Sequence, residues 1–287
     1  MAEPAHSWGA ALIGLAAVIM ACQHTPAAGS RPSTTGVAPK PIHSHADCPK
    51  DMVFIPEGDL SYVARVPGST DKTPHPQLFH LHAFCIDRVE PQNSDWKQAL
   101  PACGTREDQC ITSTRSTYSI QPLGCVTHEQ ARCFCEHSPS GVRKRLPTDS
   151  EWLYAALGSD GRKFPWGDEP VPRGADERNF CIIRDDVEPK EWLCDPAQNT
   201  VDRSPFGVLG MATNALELNG TCISVEGMHA QACLGRSGAG LRNPYLSSEV
   251  LDGLVHTYWL EFLFVRPEDR VSPSVSFRCA TSERLLP

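Results

Sequence analysis

A chain of 287 residues with formal net charge −8 and 21% charged residues is long enough for one large domain with a real core, or for two small ones. Its acidic balance excludes a general electrostatic attraction for nucleic acid. With 25 Pro and 21 Gly, it should fold with modest regular secondary structure and many ordered loops, and no periodic repeat or heptad run is present.

Residues 10 to 21, AALIGLAAVIMA, form an apolar run too short to cross a bilayer, as expected of a signal-peptide core. Ile19-Met20-Ala21-Cys22 resembles a bacterial lipobox, which makes Cys22 the lipidated first residue of the mature protein. The leading MAEPAHSW lacks Lys and Arg, so an ordinary secretory signal is the alternative. Residues 1–22 are thus expected to be a signal peptide. Residues 23–47, rich in Pro, Ala, Ser and Thr, are expected to be a flexible tether whose His43 and His45 are merely solvated. One folded domain is expected over 48–287.

Of 13 cysteines, Cys22 apart, an even set remains: Cys48, Cys85, Cys103, Cys110, Cys125, Cys133, Cys135, Cys181, Cys194, Cys222, Cys233 and Cys279. An even set in an exported chain predicts up to six disulfides. Zinc binding by cysteines competes poorly, because Cys133-x-Cys135 is the closest pair and no CxxC occurs.

Along the domain, Met52 to Leu60 reads as a strand followed by a corner, and Leu78 to Val89 alternates as a second strand. His80 and His82 share one face of that strand. They offer two metal ligands, but no third is evident at suitable spacing, which favours cross-strand polar packing. Pro91 ends the strand, and Asn93 or Ser94 can cap a short helix through Trp96 and Leu100. Cys103 to Cys110 looks like a disulfide-pinned loop. Thr127-His-Glu-Gln130 is a capping box that opens a helix through Ala131, Cys133, Phe134 and Cys135.

Residues 145–167, RLPTDSEWLYAALGSDGRKFPWG, are the most informative stretch. Thr148 and Glu151 form a second capping box, Asp149 favours the positive helix end, and Trp152, Ala155 and Ala156 define an apolar face. Gly158 stops the helix, and Phe164 to Gly167 returns along it. Further on, Cys181 and Cys194 can close an acidic loop whose carboxylates suit a hard cation. Cys222 and Cys233 lie eleven residues apart, and Tyr258 to Val265 reads as a strongly apolar strand. No Gly-x-Ser-x-Gly elbow, phosphate loop or His-Glu-x-x-His occurs.

The 145–167 stretch resembles the Arg-Leu-Pro-Thr-Glu-x-Glu-Trp-Glu-x-Ala-Ala to Pro-Trp-Gly signature of the formylglycine-generating enzyme, or sulfatase-modifying-factor, family. Met52 to Leu60, Thr127 to Cys135, Arg203 to Leu218 and Val275-Ser-Phe-Arg-Cys-Ala280 are similar to further family segments. The resemblance implies an α+β, C-type-lectin-like fold: a few helices on small irregular antiparallel sheets, stapled by disulfides. It also implies calcium sites, with Asn179 and Glu217 at matching positions. At the second site Gly210 replaces a carboxylate, Thr213 a glycine and Leu216-Glu217-Leu218 the usual Trp-Glu-Trp, so calcium there is expected to be weak or lost.

Catalytic members of the family carry two cysteines after an Arg-x-Gly-Gly-Ser stretch, and these bind copper(I) to activate oxygen. Here Gly235-Arg-Ser-Gly-Ala-Gly240 is the counterpart, and no cysteine follows it until Cys279, a structural disulfide candidate. Copper is therefore not expected. Cys222 and Cys233 remain either a displaced thiol pair or a structural bridge. The favoured expectation is a membrane-anchored, non-catalytic binding or scaffold lipoprotein on the periplasmic or cell-surface side, with an unidentified envelope protein or ligand as partner. The alternative is an active formylglycine-generating oxidase that uses Cys222 and Cys233.

Overall fold

The computed structural model describes residues 41–63, 76–104, 118–138, 142–169, 173–175, 179–181, 193–224, 231–236 and 275–283. Cys22, the signal and most of the tether, the acidic loop up to 192, the Tyr258–Val265 segment and Arg266 lie outside the described residues.

Short apolar runs pair into small sheets. Strands β1 (Met52–Ile55), β4 (Phe84–Asp87) and β8 (Ala280–Thr281) form one antiparallel sheet in the order β1-β4-β8. Strands β2 (Gly58–Val63) and β3 (Pro76–Leu81) form a separate two-stranded ribbon, with Asp59 opposite His80. Strands β5 (Leu216–Ser224), β6 (Gln231–Arg236) and β7 (Val275–Phe277) form the third sheet, with β5 antiparallel to β6 and parallel to β7. The Leu78 to Val89 run is therefore not one strand. It changes sheets at His82 and Ala83, because Leu81 and Phe84 both turn into the core while the residues between them stay outside.

Among the described residues, three α-helices cover these sheets: α1 (Trp96–Cys103), α2 (His128–Glu136) and α3 (Asp149–Leu157). The capping boxes read from the sequence form as expected. Thr127 Oγ1 accepts from Gln130 N, and Thr148 Oγ1 accepts from Glu151 N while Glu151 Oε2 accepts from Thr148 N. Helix α3 ends at Gly158, whose φ of 67° suits glycine. Trp152, Leu153, Ala155 and Ala156 bury α3 against Ile55, Leu60, Phe84 and Ile86 in one core. Trp96 on α1, Phe134 on α2 and Leu123 between them pack with Leu218, Val275 and Phe277 in a second. Phe164 and Trp166 stack at 5.0 Å where the chain returns past α3.

Disulfides tie these layers together. Cys48–Cys85, Cys135–Cys279, Cys181–Cys194 and Cys222–Cys233 are formed. Cys103 does not pin a loop to Cys110 as expected. It bonds Cys133, because α1 and α2 lie side by side and bring the two Cα atoms to 5.7 Å. Cys125 is also disulfide-bonded, to a residue outside those described.

The folded part begins before Cys48. Ile42 is buried with Cys48, Met52 and Cys85, and the Asp47 carboxylate accepts from the His43 and Ser44 backbone N–H groups. His45 packs edge-on against Phe54. One buried isoleucine and one Asp turn are enough to fasten residues 41–47, and an average composition over 25 residues hides both.

Gly58 carries a tight contact, since a Cβ there would lie 2.1 Å from the Tyr154 hydroxyl. Gly58→Ala is expected to cost about 1–3 kcal/mol through overpacking. Adding Tyr154→Phe should recover part of that loss, as measured by urea unfolding with the disulfides intact.

Candidate functional site

The signature segment builds a charged centre. Arg145 grips Glu151 through two hydrogen bonds, Nη1 to Oε2 at 2.7 Å and Nη2 to Oε1 at 2.6 Å, which fixes the capping carboxylate. One residue on, Trp152 points inward and its Nε1–H donates to Glu217 Oε2 at 2.7 Å. Glu217, on β5, in turn receives Arg278, whose Nε donates to Glu217 Oε2 at 2.6 Å and whose Nη2 donates to Glu217 Oε1. Arg278 also donates to the carbonyl oxygens of Asp87, Arg88 and Leu209. Both charged side chains are fully buried.

Two more buried carboxylates sit beside this pair. Glu90 lies 3.7 Å from Arg278 Nη2, and its Oε1 accepts from Asn214. Burial and the nearby Glu217 charge push the Glu90 carboxyl up to about 8. Asp202 Oδ2 accepts from the Ala212 and Thr213 N–H groups and from Thr213 Oγ1, yet burial still raises Asp202 to about 6. Glu90 Oε2 and Asp202 Oδ1 have no hydrogen-bond partner among the described residues. Gly210, at φ 72°, leaves the room that Glu90 fills, since a Cβ there would lie 3.2 Å from Glu90 Oε2.

The corner that holds the candidate thiols lies on the β5–β6 pair. Arg236 at the end of β6 makes a bidentate pair with Asp149 at the start of α3, at 2.6 and 2.5 Å. Asn219 Nδ2 shares Asp149 Oδ1 at 2.9 Å. Cys222 and Cys233 face each other across the two strands and are joined. His128 sits 3.8 Å from Cys222 Sγ, but its Nε2 is 2.8 Å from the Asn219 carbonyl oxygen, so Nε2 carries the proton and donates it there. Burial lowers the His128 pKa, which keeps the ring neutral.

The family model for the sulfatase-modifying factor enzyme 1-like domain matches residues 39–281. The chain belongs to this family. Among curated relatives, the formylglycine-generating enzyme of Thermomonospora curvata is 31% identical over 111 residues, which are 37% of this chain and 34% of that enzyme. The serine/threonine-protein kinase pkn1 of Chlamydia caviae is 26% identical over 199 residues, 63% of this chain and 28% of the kinase. The match to the first of these relatives thus spans about a third of its length. Among solved structures, CarF superposes with a TM-score of 0.53 at 16% identity, over 81% of this chain and 98% of CarF, which supports the shared fold.

Set against the family's metal chemistry, the residues assort unevenly. Glu217 does not fit a calcium ligand, because Arg278 and Trp152 hold both of its oxygens. Asn179 is half-buried elsewhere, with its Nδ2 donating to the Gly174 carbonyl oxygen at 2.9 Å. Cys222 and Cys233 lie together, but as one disulfide they present no thiolate pair, and Cys279 is bonded to Cys135. All eleven described cysteines are in disulfides, so the described residues do not fit a copper(I) bis-thiolate. Sequence reading missed Glu90, Asp202 and His128: Asn214 and Asn219, which meet Glu90 and His128, lie 124 and 91 residues away, and the loop closure that brings Ala212 and Thr213 to Asp202 has no periodic pattern.

Two outcomes follow from the buried charges. Replacing Arg278 with methionine should cost about 3–5 kcal/mol, since the Glu217 carboxylate is then buried without a cation; adding Glu217→Gln should recover much of it in chemical denaturation. Glu90 titrates near 4.5 when unfolded and about 8 when folded, so its contribution is complete below pH 4.5 and is lost as pH rises through 8. Asp202, raised from 3.8 to about 6, has the same sign. Melting temperature should therefore fall from pH 5 to pH 8.5, and Glu90→Gln should flatten that fall.

Proposed function

We propose that this family member is a binding or scaffold module of the bacterial cell envelope, anchored through a lipid on Cys22, that does not carry out thiol-based oxidation. The observation that carries this reading is the sulfur inventory. Cysteine oxidation by this family's chemistry needs two thiolates free to hold a soft one-electron metal. Cys222 and Cys233 are consumed in one bond, and Cys279, the first cysteine beyond Arg236, is consumed in another.

The rest of the molecule suits a rigid platform. The charged centre is shut away from solvent, and the disulfides brace segments far apart in sequence. A platform of this kind presents loops for recognition and holds them in place. The lipobox-like Ile19-Met20-Ala21-Cys22 supports a membrane anchor on the exported side.

The purified protein, incubated with copper(I), oxygen and a cysteine-containing sulfatase peptide, should leave the peptide cysteine unchanged by mass. Under native, non-reducing conditions a thiol reagent should label neither Cys222 nor Cys233. Formylglycine formation, lost in Cys222→Ser or Cys233→Ser, would establish the active oxidase instead. Cys22→Ser should move the protein from the membrane fraction to the soluble fraction; unchanged partition would remove the lipid anchor from this reading.

A further inference from the structure

The β2–β3 ribbon gathers four side chains of a kind that zinc-class ions prefer. Asp59 and His80 are directly opposed in the strand register, Glu57 precedes β2, and His82 follows β3. One ligand atom each from Glu57, His80 and His82 lies within 4.8 Å of the others. We propose that Glu57, His80 and His82 form a surface site for a divalent zinc-class ion, with Asp59 as the residue that positions His80.

The hydrogen bonding orients the donors. His80 Nδ1 lies 2.8 Å from Asp59 Oδ1, so Nδ1–H donates to the carboxylate and the lone pair stands on Nε2. That Nε2 faces Glu57 Oε1 at 3.7 Å. His82 Nδ1 lies 3.4 Å from Glu57 Oε2. Zinc bonds of roughly 2.0–2.2 Å to nitrogen and oxygen put neighbouring tetrahedral donors about 3.3–3.5 Å apart. Those two separations, one to each oxygen of Glu57, are within a few tenths of an ångström of that edge, while the His80 and His82 donors lie within 4.8 Å of each other, so binding draws the two exposed rings onto one carboxylate oxygen. A carboxylate behind a ligating histidine is the usual outer support of such a site, because it fixes the tautomer and the ring plane.

Two imidazoles with one carboxylate suit zinc, nickel or copper(II) better than calcium or magnesium, which take oxygen ligands. Three protein ligands leave one tetrahedral position to solvent. The four side chains are between 57% and 88% exposed, so an ion arriving from solution reaches them without any opening of the fold. The sequence presents His80 and His82 as two ligands in search of a third. That third comes from Glu57, 25 residues before His82, and only strand pairing brings it there.

This inference is independent of the scaffold reading. The test uses the untagged full chain with its disulfides intact, stripped by a chelator and titrated with zinc chloride by calorimetry. One zinc per chain is expected at a site that His80→Ala/His82→Ala removes and Glu57→Gln weakens at least tenfold. Asp59→Asn should weaken binding about 10–100-fold while leaving the stoichiometry at one. All four positions are exposed, so unfolding temperatures of the metal-free variants should match the parent, and a matched loss of folding would be visible there. Equal zinc binding by the parent and the His80→Ala/His82→Ala variant, or no binding by the parent, overturns the proposal.

Discussion

A guanidinium and a carboxylate leave water together only when nearly every polar atom of both is met, because each carries a desolvation penalty of several kcal/mol. Arg278 and Glu217 meet that condition with partners drawn from the whole chain. Trp152 arrives on α3, the Asp87 and Arg88 carbonyls at the end of β4, and the Leu209 carbonyl from the loop that leads to β5. Displacing any of these segments leaves a buried charge exposed to an apolar wall, so the pair acts as a register pin between helix and sheets.

Around that pin the molecule uses covalent staples where its regular structure is thin. Among the described residues the sheets hold two or three strands each, too few to secure long loops by themselves. Cys135–Cys279 joins α2 to the carboxyl-terminal segment beside Arg278, and Cys48–Cys85 fastens the entry of the domain to β4. Cys222–Cys233 fastens β5 to β6 near the Arg236–Asp149 pair. Cys222 and Cys233 are bonded to each other at the corner where thiol chemistry was one of two expectations. The same β5 strand carries Glu217, so the bracing and the charged centre reinforce each other.

The legible parts of the fold were those whose cause is local. Thr148 with Glu151, Thr127 with Gln130 and the Gly158 stop each depend on residues within a turn or two, and each formed as read. The family signature was legible for the same reason, as contiguous residues in order. What misled were features set by neighbours distant in sequence. The Leu78 to Val89 run has one alternating pattern but serves two sheets, and Cys103 found Cys133 rather than Cys110 because two helices pack together. The partners of Glu217 were hidden for the same reason: both of its oxygens are met by Arg278, 61 residues further on, and one also by Trp152, 65 residues before it.

Composition and contiguous motif by themselves determined the acidic, cysteine-rich character, the capped helices and the family of the fold. Only the folded chain decided which cysteines met, which carboxylates lost their water, and that Glu57 stands beside His80 and His82. The reason is physical: caps and turns are short-range hydrogen bonds written within a few residues, whereas charge pairing, disulfide partners and ligand clusters depend on distances that exist only after the strands have paired.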